Sequence, residues 1–119
     1  MSRDLYMLNI NIREEDNEYM EEIYVDISSH AWKRMGEREI EEHSIYSSIL
    51  AMGTRILNFK CNQEFILVNY RDKEAVVCNI HCDNGLIIVE VITVIDTNYV
   101  YKHDGQRILV YNRGKFVRK

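Results

Sequence analysis

From Thr54 onward the chain is a succession of Val-, Ile-, Phe- and Tyr-rich runs separated by very short polar breaks, and no other feature restricts its fold as tightly. The runs cover residues 55–59, 64–70, 74–81 and 86–95. β-Branched and aromatic side chains pack well on a pleated surface, so each run reads as a strand. The breaks, 60–63, 71–73 and 82–85, are too short for crossover connections. Consecutive strands are therefore expected to lie antiparallel, as a meander. Asp83-Asn84-Gly85 is a strong tight-turn signal. The run 86–95 is the most apolar and is expected at the centre of the sheet. Beyond it, 99–103 and 106–111 flank Asp104-Gly105 and read as one further hairpin.

Ahead of this region, Leu8, Ile10 and Ile12 alternate with polar residues, as do Ile23, Val25 and Ile27. The acidic stretch 13–22 between them reads as the loop of an N-terminal hairpin. Ser28 and Ser29 are N-cap candidates for a helix running to about Arg38. Ala31, Trp32 and Met35 form its expected buried side, with the edge carrying Arg38 beside it. A second helix is expected over 42–52, with Ile45, Ile49 and Met52 as its apolar row and Tyr46 and Leu50 widening it. Gly53 is placed to end it in a left-handed conformation. The expected fold class is α+β: two short helices packed on an antiparallel meander of about four strands, with extra N-terminal and C-terminal β-hairpins. One domain spans 1–119, with 28–95 as its core and 1–27 and 96–119 as flanking hairpins.

At 119 residues, 46% hydrophobic and 29% charged, the chain has ordinary globular composition and length for one core. It holds no proline, so no Pro-rich linker divides it. No apolar run approaches a membrane span, and the first residues lack the layout of a signal peptide, so a cytoplasmic protein is expected. Three cysteines do not describe a disulfide framework. Cys78, His81 and Cys82 have poor spacing for zinc. On a strand Cys78 and Cys82 would share a face while His81 points away, so structural thiols are expected and no metal or cofactor. The net charge of −4 is unevenly distributed: residues 13–26 hold seven acidic residues and one basic, and 102–119 hold six basic and one acidic.

His30, Arg34 and Arg38 recur at steps of four, which on a helix aligns them in one stripe. An imidazole that titrates near neutrality beside two guanidinium forks suits a phosphate-containing ligand. The plainer alternative stands beside it: His30 bonds a strand carbonyl, and the arginines pair with Glu37, Glu41 or Glu42 on the surface, contributing little.

Ser29, His30, Ala31, Arg34, Met35, Arg38 and Ile40, followed later by Val91-Ile92-Thr93-Val94, resemble the domain of unknown function 4258 family. That family comprises small bacterial and phage domains similar to RelE-like and barnase-like ribonuclease toxins. The likeness covers about residues 28–95. Members usually carry Gly before the Ile, where this chain has Glu39. Because positive φ is unfavourable for Glu, the turn after the first helix is expected to differ. The resemblance implies metal-independent RNA cleavage or RNA binding. His30 would serve as base or acid, Arg34 and Arg38 would hold the phosphate, and Thr93 would orient an oxygen if it faces the helix. His81 and His103 are candidates for a second acid–base group. The partner would be RNA, with an antitoxin as protein partner. The competing expectation is a non-catalytic interaction protein, such as a phage-encoded inhibitor of a host protein, acting through the acidic stretch 14–22. A homodimer through an exposed edge strand is a third expectation.

Overall fold

The computed structural model describes residues 5–101 and 104–112. In chain order the elements are β1 (Tyr6–Glu14), β2 (Asn17–Ile27), α1 (Ser29–Glu37), α2 (Glu42–Ala51), α3 (Gly53–Leu57), β3 (Gln63–Asn69), β4 (Glu74–Asp83), β5 (Leu86–Asp96), a short 3₁₀ turn (Thr97–Tyr99) and β6 (Arg107–Asn112). The strands form one sheet in the order β1-β2-β5-β4-β3-β6, curled into a half-barrel.

The meander expected over β3, β4 and β5 is present, with both its ladders antiparallel. The rest of the expected sheet is overturned. β2 joins β5 in parallel and β6 joins β3 in parallel, so the sheet is mixed and six-stranded. The reason lies in the connections. Residues 28–62 form a helical crossover, long enough to return the chain in the same direction as β2. A second crossover carries the chain from β5 to β6 on the far side of β3. Val100 within it packs against Ile66, Val68 and Ala75 on the sheet face opposite the helices. The Asp104-Gly105 turn exists, with Gly105 at φ 84, but the segments it joins are not a hairpin.

Two further expectations fail for local reasons. The run 55–59, read as a strand, contains most of α3, because a five-residue apolar run has no distinctive period. Gly53 does not end α2 in a left-handed conformation; it opens α3. Its lack of a side chain matters for packing, since a Cβ there would sit 2.5 Å from Ile10 Cδ1 and 2.8 Å from Ile10 Cγ2. The start of α3 thus packs so closely on Ile10 of β1 that a side chain at position 53 would force Ile10 to move.

The main core lies between the helices and one face of the sheet. Ala31, Met35, Ile45, Ile49 and Ile56 meet Ile10, Ile23, Val25, Phe65, Leu67, Cys78, Val89, Val91 and Val94. Helix α1 starts at Ser28, whose Oγ accepts from the Ala31 N–H at 3.0 Å and donates to the Ile92 carbonyl at 2.8 Å. The Ser28 N–H donates to the Val91 carbonyl at 3.0 Å. One residue therefore caps α1 and ties it to β5 where β5 is irregular. Ile92 has no partner in the β4–β5 ladder: Cys78 faces Val91 and Val77 faces Thr93. Such a bulge shifts every later side chain to the other face. Val91 and Val94 both reach the helices, and Thr93 falls opposite.

The end of α1 departs from expectation in an instructive way. Glu39 adopts φ 57, the conformation usually given to glycine. The Ile40 N–H donates to the Met35 carbonyl at 2.9 Å and the Glu39 N–H to the Gly36 carbonyl at 3.3 Å, closing a Schellman turn. Burial of Ile40 against the core outweighs the strain at Glu39. Glu39→Gly should therefore raise stability by about 1 kcal/mol in chemical denaturation, the left-handed penalty being roughly 1–2 kcal/mol less the extra chain entropy of glycine. Unchanged or lower stability would show that Glu39 is not strained.

Candidate functional site

The buried line of α1 passes through Ala31 and Met35. At 100° per residue, Arg38 lies close beside that line, Arg34 and Trp32 flank it on opposite sides, and His30 is turned furthest from it. Exposure follows this order: Arg34 and Arg38 are half-buried, and His30 is exposed. Trp32, expected in the core, is 46% exposed. The stripe is therefore split, with two arginines against the fold and the histidine in solvent.

Both arginines have acidic partners. Arg34 Nη1 lies 3.4 Å from Glu37 Oε1, the local pairing that the plainer alternative anticipated. Arg38 Nη2 lies 3.3 Å from Asp96 Oδ2 at the end of β5. Asp96 is in register with Glu74 on β4, so two carboxylates stand side by side beneath Arg38. Desolvation and the neighbouring Asp72 push the Glu74 carboxyl up, while Arg38 draws it back down. Arg38, Ile40, Asp72, Lys73, Glu74 and Asp96 line an open depression of about 320 Å³. Three carboxylates there face two cations, which disfavours a phosphate dianion on charge alone. Nothing near Arg38 in the sequence announces Asp96, 58 residues away; the pairing exists because α1 runs along β5.

The other expected members of the site are elsewhere. Thr93 is on the face opposite α1, because of the bulge at Ile92. His81 is paired with Ile88 and faces away from the helices. His43 Nδ1 lies 3.1 Å from Glu41 at the start of α2, and His103 lies outside the described residues. Cys78 and Cys82 do share a face, with Cys78 buried. Burial pushes the Cys78 thiol far above its ordinary range and leaves it inert.

The most distinctive surface is one read from sequence as a loop. Residues 13–22 are ladder, not loop: β1 and β2 pair from Tyr6–Val25 to Glu14–Asn17, and Glu15, at φ 49, makes the tight turn. They looked like a loop because acidic and polar residues dominate them, although Glu21 is in register with the buried Ile10 and Tyr19 with Ile12, which packs on the core. β2 pairs with β5 only over Tyr24–Ile27, so residues 11–22 form a two-stranded arm beyond the sheet. The arm carries Glu14, Glu15, Asp16, Glu18, Glu21 and Glu22 against Arg13, six negative charges less one positive, a net −5. Asn11 Nδ2 donates to Glu18 Oε1 at 2.8 Å, and Arg13 Nε lies 3.7 Å from the same oxygen. Tyr19 and Met20 are 44% and 57% exposed among these carboxylates. Desolvation, Glu14 and Glu21 together hold the Tyr19 phenol above its ordinary value. Between the arm and α3 opens a polar cleft of about 390 Å³, reached by Arg13, Glu14, Tyr19, Glu21, Thr54 and Asn58.

No family model, no curated protein and no solved structure matches the chain. Among the described residues, no helix is long and apolar enough to cross a membrane.

Proposed function

We propose that this protein is an interaction module that engages a basic partner protein through its acidic β1–β2 arm. One observation carries the proposal: a paired, preformed arm of net −5 projects beyond the sheet and bears exposed Tyr19 and Met20 among its carboxylates. A hairpin already folded loses little entropy on docking. Concentrated charge of one sign steers a partner of the other sign and fixes its register. Tyrosine and methionine supply the desolvated contacts that interface centres favour. A cytoplasmic setting fits the three free cysteines.

Ribonuclease chemistry at the His30–Arg34–Arg38 stripe has less behind it. Both arginines are neutralised by carboxylates, His30 is turned outward and Thr93 is on the other face.

The arm is tested by capture from a bacterial lysate with the triple variant Glu14→Lys, Glu21→Lys, Glu22→Lys. Each reversal adds two charges, taking the arm from −5 to +1. A partner held by the parent should be lost at least roughly tenfold, about 1.4 kcal/mol, and the parent's binding should weaken as salt is raised. Unchanged capture by a folded variant would remove the arm from the interface.

A further inference from the structure

We propose that Cys61 and Cys82 form a reversible dithiol–disulfide site joining the α3–β3 connection to the β4–β5 hairpin. Across the β3–β4 ladder Gln63 faces Ile80, and the Asn62 N–H donates to the Ile80 carbonyl at 2.6 Å. Ahead of β3, the turn at Cys61-Asn62, with Asn62 at φ 66, sets Cys61 beside Cys82. Their sulfurs lie 2.8 Å apart, closer than ordinary non-bonded sulfur contact, and both thiols are exposed. Proximity and access to reagents are what a dithiol that closes on itself requires, and this pair has both. Cys78 meets none of this description: four strand positions from Cys82, it lies about 13 Å away along β4, and it is buried.

The oxidant is a low-molecular-weight disulfide of the glutathione class. One cysteine thiolate attacks it, forming a mixed disulfide and releasing one small thiol. The second cysteine gives up its proton and attacks the protein sulfur of that mixed disulfide, releasing the second small thiol. The protein loses two electrons and two protons, and the external disulfide becomes two thiols. The contact with Cys61 holds the Cys82 thiol above its ordinary range, so the reaction quickens as pH rises and the thiolate fraction grows.

Closure has a structural consequence next to the arm. Cys82 is in register with Ile87, which lines the cleft together with Leu57 and Asn58 at the end of α3. A disulfide would tie the segment that follows Asn58 to the strand paired with Ile87, just behind the cleft, independently of whether the arm binds a partner.

The test treats the folded, full chain with oxidised glutathione and reads intact mass and a non-reducing peptide map. The parent should lose two hydrogen atoms without retaining glutathione, its map should link Cys61 to Cys82 within one chain, and dithiothreitol should reverse both changes. Cys82→Ser should instead retain one glutathione on Cys61, and Cys61→Ser one on Cys82. Amide exchange over residues 58–62 should slow in the oxidised parent. Persistent glutathione on the parent, a link between two chains, or thiols that stay free at alkaline pH would each overturn the proposal.

Discussion

Phe65→Ala should lower stability by about 3–5 kcal/mol, the range for emptying a large aromatic site in a core. The Phe65 ring is fully buried on β3, which is flanked on one side by β4 and on the other by β6. It meets Phe59 at 5.4 Å between ring centroids with the planes tilted by 47°, so the segment after α3 is held to the sheet through this contact. A domain of this size has about 5–15 kcal/mol in total, and the variant would lose a large part of it. The denaturant midpoint should fall with little change in slope. Phe65→Leu, which keeps most of the volume, should lose less than half as much. A loss below about 1 kcal/mol for the alanine variant would mean that the site collapses or that Phe65 is not central.

Ser28→Ala should cost about 2–3 kcal/mol, more than an ordinary N-cap, for which about 1–2 kcal/mol is usual. The excess arises because the same hydroxyl serves two groups. Without it the Ala31 N–H loses its cap and the Ile92 carbonyl at the bulge loses its donor, a further roughly 1 kcal/mol. Ser28→Thr keeps both bonds and should stay within about 0.5 kcal/mol of the parent. Ser28→Asp keeps the cap but cannot donate to Ile92 and should fall between the two. Equal stability of the aspartate and threonine variants would show that the bulge contact contributes nothing.

These two residues mark the divide between what local pattern reveals and what it hides. Phe65 sits in a run whose β character, length and short flanking breaks are visible by eye, and the β3–β4–β5 meander followed directly from them. Asn84-Gly85 turned as its sequence demands, with φ 51 and 80. Ser28 was recognisable as a cap, yet its second bond reaches residue 92, and nothing in the sequence marks Ile92 as a bulge. That bulge alone removes Thr93 from the helix side and with it one member of the expected site. Trp32 was placed on the buried side by its helical spacing from Ala31 and Met35, but α1 turns its Arg34–Arg38 edge rather than its Trp32 edge toward the fold. Long basic side chains can cover apolar surface while keeping their charged ends accessible.

By itself the sequence determined the strand runs of β3, β4 and β5, the two longer helices, the Ser28 cap of α1, the tight turn at Asn84-Gly85 and the acidic character of residues 13–22. All of these depend on neighbours within a few positions, where backbone preference and apolar period act directly. Only the tertiary structure decided that β2 and β6 enter the sheet in parallel, that Arg38 meets Asp96, that Thr93 faces away from α1, that Cys61 meets Cys82, and that the acidic stretch is a paired arm rather than a loop. All but the last rest on pairing between distant segments, whose register is chosen by burial of the whole core and not by any local preference; the arm is a local ladder closed by the turn at Glu15.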